Sequence, residues 1–366
     1  MGKIDELIKQ FCPNGVEVVE LGKIAKLVRG KVISKKYVLD NNGEYPVYSS
    51  QTSNNGEFGR INTYMFDGDY VTWTTDGAYA GTVFRRTGKF NITNICGLIK
   101  LEVSSINVGF LYYWLAITAK KYVNRAIDNP KLMSNVVATI KVPLPPLAVQ
   151  KKIVEILDTF TGMIDNLQKE LEQRQKQFEY YRSKFFAYNE DECDWFSLPM
   201  ISENCDRKRK PIKGSKREKG IYPYYGASGI VDYVKDYILD GEYLLISEDG
   251  ANLVARNTPI AFSIEGKNWV NNHAHVVKFN SLNDQRFVEY YFNSIDLTPW
   301  ISGGAQPKLN QENLNKILIP YPSVERRNII VDTLKSFEAL ISNIKQEIEL
   351  RQKQYEYYRE KLLTFE

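Results

Sequence analysis

Histidine and cysteine, which often bind metals in proteins, are scarce: the 366-residue chain has 2 histidines and 4 cysteines. The cysteines form no Cys-x-x-Cys pair, which argues against a disulfide framework and a zinc site. His273 and His275 are two residues apart on a predicted strand, so both project from one face. Without a neighbouring carboxylate or cysteine, we predict a surface or groove-facing histidine pair. The cysteines are Cys12, Cys96, Cys193 and Cys205.

Long apolar runs are also absent. No stretch reaches the roughly 18 residues of a membrane-spanning helix, and the opening MGKIDELIKQF lacks the apolar core of a signal peptide. The formal net charge of +4 is too small to identify a nucleic-acid-binding protein by itself. The composition therefore predicts an intracellular, cytoplasmic protein that does not enter a membrane.

The motifs of several common enzymes are missing. The segment GTVFRRTGKF at 81–90 has the wrong spacing for a phosphate-binding loop. The chain has no glycine-rich dinucleotide fingerprint, no Gly-x-Ser-x-Gly elbow and no His-Glu-x-x-His zinc motif. These absences predict a chain that binds without catalysing a reaction and that carries no cofactor or metal of its own.

What the chain does contain is an internal repeat. RQKQFEYYR at 174–182 returns as RQKQYEYYR at 351–359, displaced by 177 residues. With the same displacement, PPLAVQKKIVEILDTF at 145–160 lies over PSVERRNIIVDTLKSF at 322–337. The ends of the two halves match well, while their middles keep a pattern with different side chains. One framework is therefore used twice, with two different variable regions.

Short segments inside the variable regions also correspond. The third pair below requires a slip of four residues, which places an insertion or deletion between the halves. The matching segments are YPVY (45–48) with YPYY (222–225), PKL (130–132) with PKL (307–309), and DGDYVTWTTDGA (67–78) with DGEYLLISEDGA (240–251).

Each half is predicted to hold an α+β globular region followed by a long helix. Residues 17–142 and 196–319 contain short Val, Ile, Tyr and Thr runs broken by Gly, Asn and Asp, as in strands. Stretches near 108–123 and 286–296 are predicted helices. The predicted boundaries are 1–147 for the first globular region, 148–188 for the first long helix, 189–322 for the second globular region and 323–366 for the second long helix.

Both long helices carry an apolar heptad seam with one arginine in it, Arg174 or Arg351, within reach of Glu170 or Glu347. One such helix could pack on its own domain, but two matched seams predict an antiparallel two-helix coiled coil with pseudo-two-fold symmetry and a globular region at each end. The seam residues are Leu157, Phe160, Ile164, Leu167, Leu171, Phe178, Tyr181 and Phe185, and Leu334, Phe337, Ile341, Ile344, Ile348, Tyr355, Tyr358 and Leu362.

Basic residues concentrate in corresponding loops of the two halves, RGKVISKK at 29–36 and RKRKPIKGSKREK at 207–219. A charged loop is often simply solvated, but basic loops at matching places suit contact with DNA phosphates. The candidate phosphate-binding residues are Arg29, Lys31, Lys35, Lys36, Lys131, Arg207, Lys208, Arg209, Lys210, Lys213 and Lys308.

Polar loops in the variable regions supply candidates for reading base edges, since Ser, Thr, Asn, Gln and Glu side chains bond to base edges in a groove. Ordinary turn chemistry explains any one of these loops equally well. The candidate base-reading residues are Ser50, Gln51, Ser53, Asn54, Thr74, Thr75, Ser228, Glu248 and Asn252.

Two variable regions of about 150 residues, each followed by a helix of the PLPPLAVQKKIVEILDTF type, resemble the specificity subunits of type I restriction-modification systems. The resemblance covers essentially the whole chain, although PSVERRNIIVDTL in the second copy lacks the Pro-Pro-Leu and Gln of the first. It implies two target recognition domains, each reading one half of a split, asymmetric sequence of double-stranded DNA, and helices that set the separation of the half-sites.

The resemblance also implies partners. Two methyltransferase subunits, which bring S-adenosylmethionine, would bind the repeated helices, and restriction subunits that use ATP and Mg²⁺ would join them. This chain would be a non-catalytic, DNA-binding subunit in a prokaryotic cytoplasm.

Two alternatives are open from the sequence alone. The chain could be a coiled-coil scaffold whose β-rich heads bind protein or glycan ligands, a function that has no need of the basic loops. It could also be a DNA-modifying enzyme in one chain, which the missing cofactor motifs disfavour. Salt-sensitive binding to duplex DNA and methyl transfer by the chain alone distinguish these alternatives.

Overall fold

The computed structural model of the chain describes residues 10, 15–126, 128–189, 191–304 and 306–365, and Cys12 lies outside them. The chain divides into two units. Unit 1 comprises Met1–Leu167 and Glu347–Glu366, and unit 2 comprises Gln168–Gln346. Unit 2 is thus one continuous stretch of chain, whereas unit 1 is assembled from both ends.

Unit 1 contains a six-stranded sheet and a separate pair of strands. Its strands are Val18–Glu20 (β1), Ala25–Arg29 (β2), Tyr45–Tyr48 (β3), Glu57–Ile61 (β4), Phe66–Thr74 (β5), Val83–Ile92 (β6), Cys96–Leu101 (β7) and Lys141–Pro143 (β8). The sheet order is β2-β7-β5-β6-β3-β4, and only β3 and β6 pair in parallel among these strands. Strand β1 pairs with β8.

The helices of unit 1 include the one predicted near 108–123, which is confirmed as Val108–Thr118. Its first turn is capped by Asn107, whose side-chain oxygen accepts from the Phe110 amide at 3.1 Å. The helices are Lys35–Asp40 (α1), Val108–Thr118 (α2), Ser134–Ala138 (α3) and the long helix Leu147–Phe185 (α4), of which the first part belongs to unit 1.

The sheet of unit 1 is buried on both faces. One face packs against α2 and α4 around Trp73, whose ring lies on the backbone of β7: a Cβ at Gly97 would be 2.2 Å from it, so only glycine fits there. The other face carries a smaller cluster that includes Phe90, Cys96 and Leu98. Burial raises the pKa of the Cys96 thiol to about 12.

Unit 2 has a related arrangement, in which two four-stranded sheets take the place of the six-stranded sheet of unit 1. Its strands are Asp194–Ser197 (β9), Glu203–Asn204 (β10), Lys219–Gly226 (β11), Gly229–Val234 (β12), Leu239–Asp240 (β13), Tyr243–Ser247 (β14), Ala261–Ile264 (β15), Lys267–Val270 (β16), Ala274–Lys278 (β17) and Leu318–Tyr321 (β18). The orders are β10-β17-β14-β15 and β12-β11-β16-β13, and β18 pairs with β9. Strands β11 and β16 are parallel.

The helices of unit 2 include the one predicted near 286–296, which is confirmed as Leu282–Ser294. The helices are Leu198–Ile201 (α5), Asn252–Ala255 (α6), Leu282–Ser294 (α7), Gln311–Leu314 (α8) and the long helix Val324–Leu362 (α9), of which the last part belongs to unit 1. Short 3₁₀ turns of the two units are Leu21–Lys23, Ser53–Gly56, Ala119–Tyr122, Asp206–Lys208, Gly214–Lys216 and Thr298–Trp300.

Strand register confirms the internal repeat. Val18 lies opposite Pro143 in unit 1, and Trp195 lies opposite Pro320 in unit 2. Both members of the second pair are 177 residues after their counterparts in the first, the displacement found in the sequence. The parallel pairs correspond as well, because β3 with β6 matches β11 with β16. The α+β fold with two related globular domains and two long helices is therefore as the sequence predicts.

In unit 2 the two long helices pack antiparallel. The Arg326 guanidinium lies 5.8 Å from the Phe185 ring, and Tyr181 stacks on Phe337 with ring centroids 5.5 Å apart. Further back along α4, a groove is lined by Gln175 together with Lys345. Residues of lower number on α4 therefore lie beside residues of higher number on α9, so the two helices run antiparallel.

In unit 1 the corresponding ring pair is Phe160 stacked on Tyr358, with centroids 5.3 Å apart. Tyr181 comes 21 residues after Phe160 and Phe337 comes 21 residues before Tyr358, so both ring pairs follow one antiparallel register. The first turns of α4 also enter the core of unit 1, where Leu157 is fully buried beside Leu362. A helix end therefore packs on its own domain and on the other helix.

The arginines inside the seam bond to glutamates of their own helix. Arg174 Nη2 donates to Glu170 Oε1 at 3.3 Å in unit 2, and Arg351 Nε donates to Glu347 Oε1 at 2.7 Å in unit 1. Both pairs are i, i+4 contacts, and each keeps a guanidinium bonded at an otherwise apolar position. Within the described residues, no helix is long and apolar enough to cross a membrane.

Candidate nucleic-acid interface

An Asp-Gly turn and the Pro-Lys-Leu segment meet in the same way in both units. In unit 1 the Gly77 amide donates to Pro130 O at 3.0 Å, and the Leu132 amide donates to Thr75 O at 2.9 Å. In unit 2 the Gly250 amide donates to the Pro307 oxygen at 3.1 Å, and the Leu309 amide to the Glu248 oxygen at 2.7 Å. The two motifs thus form the same structural brace in each unit. The brace places the lysine of the Pro-Lys-Leu segment beside the acidic turn.

In unit 1 the brace gathers one carboxylate and two cations. Asp76 accepts from Thr75 Oγ1 at 2.5 Å and lies 3.8 Å from both Arg29 Nη2 and Lys131 Nζ. Arg29 also donates to the Asn94 oxygen through Nε at 3.1 Å and Nη2 at 2.6 Å. The guanidinium is therefore held in place with part of its surface exposed.

In unit 2 the brace carries a denser network. Arg209 lies 2.5 Å from Glu248 and 3.2 Å from Asp206, and Lys308 Nζ lies 3.2 Å from Glu248. Burial by itself would raise the pKa of Glu248, but Arg209 and the other cations hold that pKa below its ordinary value. Burial also opposes ionisation of Asp206, whose pKa is nevertheless lowered by hydrogen bonds from His275 and the Val276 amide.

His275 links the network to the brace. Its Nδ1 lies 2.7 Å from Asp206 Oδ2 and its Nε2 donates to Leu309 O at 2.8 Å. In unit 1 the equivalent carbonyl, Leu132 O, accepts instead from Trp73 Nε1 at 3.0 Å. One carbonyl of the shared framework is therefore held by a titratable ring in unit 2 and by an indole in unit 1.

The prediction of a surface histidine pair is wrong for His275, which is 1 % exposed. The two histidines do have carboxylate neighbours, because His273 Nδ1 lies 2.9 Å from Asp249 and His275 contacts Asp206. His273 precedes β17 and is exposed, so it alone faces solvent. In the part of the chain that the structure describes, no three or more His, Cys, Asp or Glu side chains are arranged so that they could hold a metal ion.

The candidate phosphate-binding residues fall into two groups. Four make ion pairs with acidic side chains of their own unit, and they are Arg29, Lys131, Arg209 and Lys308, of which Lys308 is itself exposed. The others are exposed, and they are Lys31, Lys35, Lys36, Arg207, Lys208, Lys210 and Lys213. The exposed group is available to a polyanion in this conformation, and five of its members lie on or beside the 3₁₀ turn Asp206–Lys208 or the first turn of α1.

Three of the candidate base-reading residues need correction. Thr74 and Thr75 are fully buried, since their strand enters the core and their hydroxyls bond to the Tyr79 oxygen and to Asp76. Glu248 is held inside the ion-pair network of unit 2. Neither threonine side chain can contact a base in this structure, and the Glu248 carboxylate is already bonded to Arg209 and Lys308.

The other candidates lie nearer to solvent. Asn252 Nδ2 donates to the Thr258 oxygen and Asn252 Oδ1 accepts from the Thr258 amide, both at 3.0 Å. The Gln51 side-chain amide donates to the Glu57 oxygen, so Asn252 and Gln51 also shape their loops. Ser50, Gln51 and Asn252 are half-buried, and Ser53, Asn54 and Ser228 are exposed.

Sequence reasoning missed the part that Asp206 and His275 play in unit 2. Asp206 immediately precedes the basic loop at 207–219, and the charge pattern of that loop indicated only its cations. The signal that could have found it is the single aspartate before Arg207 together with a histidine on a strand of otherwise apolar residues. A buried polar residue in such a strand requires a partner.

Each unit has a basic loop beside its brace. The two units share one framework and carry different side chains on it, which defines a tandem, two-domain protein. Comparison with known proteins agrees. The profile of the type I restriction modification DNA specificity domain matches residues 13–174 and 196–350. The chain belongs to the family of type I restriction-modification specificity subunits, with two specificity domains in tandem.

A curated relative and a solved structure match this chain over most of its length, and a second relative matches about half of it. A putative type I specificity subunit of Mycoplasma pneumoniae is 31% identical over 364 residues, covering 96% of this chain and 98% of that protein. The MpnII specificity subunit of the same organism is 41% identical over 180 residues, covering 48% of this chain and 54% of that protein. The crystal structure of the type I S subunit from M. genitalium shares this fold, with a TM-score of 0.69, 15% identity and coverage of 96% and 97%.

Proposed function

We propose that the chain is the sequence-reading subunit of a type I restriction-modification complex. The domain of each unit binds one half of a bipartite, asymmetric target in double-stranded DNA. The observation that carries the proposal is one framework, repeated with the same strand register, that presents different side chains at equivalent positions. Two domains of the same fold that present different side chains can bind a target whose two halves differ in sequence.

The basic loop of unit 2 supports contact with the DNA backbone. Arg207, Lys208, Lys210 and Lys213 are exposed, whereas Arg209 between them is bonded inside the protein. Exposed cations on a segment held at one point can neutralise phosphates, and the release of counterions then favours binding at low salt. A protein or glycan scaffold has no need of this group.

The long helices are proposed to bind two methyltransferase subunits and to set the separation of the half-sites. Tyr180 and Tyr357 are equivalent positions of the repeated nine residues, and their side chains are 60% and 50% exposed. Exposed tyrosines at matching places provide two amphipathic contact surfaces. S-adenosylmethionine would belong to the methyltransferase subunits, and ATP and Mg²⁺ to restriction subunits. This chain itself would be non-catalytic and would act in a prokaryotic cytoplasm.

Reconstitution tests the proposal. The purified chain alone should neither methylate nor cut DNA, and with a type I methyltransferase subunit it should direct methylation to one bipartite sequence, identified by methylome sequencing. Turnover by the chain alone would contradict the non-catalytic assignment. Methylation without a bipartite sequence would contradict the reading function.

Native mass spectrometry tests the helix surfaces. Tyr180→Ala or Tyr357→Ala should reduce the methyltransferase stoichiometry from two to one, and the double variant should bind none. Met163→Ala, which removes an exposed side chain elsewhere on α4, is the matched control and should leave two. Full assembly of the double variant would place the docking surface elsewhere.

A further inference from the structure

Unit 1 contains a buried arginine without a counter-ion. Arg86 on β6 is 2 % exposed, and its Nε lies 3.4 Å from Thr72 Oγ1, a long hydrogen bond. Among the described residues, none gives Nη1 an acceptor and no carboxylate pairs with the guanidinium. Burial lowers the pKa of Arg86, so the surroundings oppose its charge. Buried charges in proteins are ordinarily paired, and this one is held unpaired.

Two aromatic rings fix the orientation of the guanidinium. Its central carbon lies 3.6 Å from the ring centroid of Tyr48 and 4.3 Å from that of Phe84. Contacts over the ring faces hold the group in place, while Nη1 has no acceptor among the described residues. A guanidinium held in this way is set to donate two parallel hydrogen bonds in one plane.

A loop with an unusual backbone lies over this guanidinium. Asn54 and Asn55 have φ angles of 48° and 50°, and Gly56 follows at 77°, so three successive residues are in the left-handed region. A Cβ at Gly56 would lie 2.9 Å from Arg86 Nη2, which places the loop backbone directly on the guanidinium. Asparagine and glycine adopt this conformation more readily than other residues, so the sequence Asn-Asn-Gly favours this loop backbone.

The second repeat shows that the framework does not need a charge here. Arg86 lies opposite Tyr70 across β5 and β6, and Ile264 lies opposite Tyr243 at the same place in unit 2. The flanking rings are also repeated, since Tyr225 and Phe262 of unit 2 are 5.9 Å apart. An isoleucine therefore occupies the equivalent strand position in unit 2, and the charge is a property of unit 1 alone.

We propose that Arg86 contributes to target binding by unit 1 by donating two hydrogen bonds to a pair of acceptors on DNA once the loop Ser53–Gly56 is displaced. The proposal rests on the proposed function, because it requires that unit 1 contact DNA. Two groups on DNA present such a pair: the O6 and N7 atoms of guanine in the major groove, and two oxygens of one phosphate.

The first experiment compares Arg86→Ile, which installs the residue of the other repeat, with the wild-type chain and with Lys100→Ile, which removes an exposed charge from β7. Each is assembled with the methyltransferase subunit and titrated with the target duplex. Arg86→Ile should bind the target about 5- to 150-fold more weakly. Its melting temperature should rise by about 2–4 °C, because an unpaired buried charge is removed. Lys100→Ile should change neither quantity by as much.

The two readouts separate function from structure. Unchanged affinity of Arg86→Ile overturns the proposal, and so does a fall in both affinity and melting temperature, which marks Arg86 as a structural residue. If the wild-type complex itself fails to bind a specific duplex, the proposed function fails, and this is visible before any variant is made.

Modified duplexes then distinguish the two acceptors. If the acceptor is guanine, 7-deazaguanine at one position of the half-site weakens wild-type binding but has no further effect on Arg86→Ile. If the acceptor is phosphate, a methylphosphonate at one position does so, and Arg86→Ile lowers the slope of log affinity against log salt by about one. If neither modification distinguishes the two proteins, the proposal is overturned.

Discussion

Tyr181 and Phe337 stack with their ring planes 26° apart and their centroids at 5.5 Å, joining α4 to α9 within unit 2. Phe337→Ala should destabilise unit 2 by about 2 kcal/mol, less than the 3–5 kcal/mol typical of a fully buried phenylalanine, because the ring is half-buried. Hydrogen-exchange mass spectrometry of unit 2 peptides in urea measures the change. Ile329→Ala, at a side chain of the same helix in unit 2 that is 55% exposed, is the control and should stay within about 0.5 kcal/mol. Equal effects of the two changes would show that the ring contact contributes nothing.

Arg209 should behave as a structural residue and its neighbour Arg207 as a surface residue. Arg209→Ala removes the guanidinium that Glu248 and Asp206 share in a site that is mostly buried, and should cost unit 2 about 3 kcal/mol. Arg207→Ala should change stability by less than about 0.5 kcal/mol. Urea unfolding of the two variants, followed by hydrogen exchange, makes the comparison. A stable Arg209→Ala protein would mean that the acidic side chains find other partners.

The exposed lysines of the same loop should contribute to DNA binding without contributing sequence information. Replacing Lys208 and Lys210 by alanine should weaken binding to all duplexes alike and reduce the salt slope by about two. The control replaces Lys169 and Lys176, which are exposed on α4. Fluorescence anisotropy at several salt concentrations measures the slopes. A loss confined to one DNA sequence, or an equal loss in the control, would contradict the phosphate assignment.

Acid should destabilise unit 2 through Asp206. The pKa of this carboxyl is lower in the folded protein than in the unfolded chain, so its ion pairs stabilise the fold above the unfolded value and are lost as the pH falls through the folded one. The loss therefore belongs below about pH 4, the ordinary aspartate range. Glu248 acts in the same direction, and His275, Arg209 and Lys308 face the pair.

Asp206→Asn tests this prediction. The variant should be less stable than the wild type at pH 7 and should lose less stability on acidification, because it has no proton to take up at this position. Urea unfolding at pH 7, 5 and 3.5, followed by hydrogen exchange in unit 2, provides the data. Parallel pH curves for the two proteins would contradict the linkage.

The helices should act as a ruler if they set the half-site separation. A heptad inserted after both Leu171 and Ile348 keeps the seam in phase and lengthens each helix by about 10 Å. The half-sites should stay the same while the spacer between them grows by about three base pairs, as seen by methylome sequencing. Insertion into one helix only should abolish specific binding. A folded, doubly lengthened protein that still required the original spacer would rule out the ruler.

The long helices were predictable from sequence because a heptad seam is a local pattern repeated along the chain. The predicted long helices are 148–188 and 323–366, and the structure has Leu147–Phe185 and Val324–Leu362. Strong periodicity and a proline before each start account for the agreement.

The roles of individual polar residues were not predictable in the same way. Thr74 and Thr75 look like loop residues beside an Asp-Gly turn, but β5 continues into the core and buries them. Arg86 looks like any strand arginine, and only the pairing of β6 with β5 and the placement of Tyr48 show that it is buried without a partner. Such facts depend on contacts between residues distant in sequence, which alternation along a strand does not contain.

The division of unit 1 between both ends of the chain has a consequence for synthesis on the ribosome. Its core includes Leu362 and Leu363, which are translated after the whole of unit 2. Unit 2 is one continuous stretch of chain from Gln168 to Gln346. All residues of unit 2 are therefore present before unit 1 is complete, although most of unit 1 is translated first, and the core of unit 1 stays unfinished until residues 347–366 have been made.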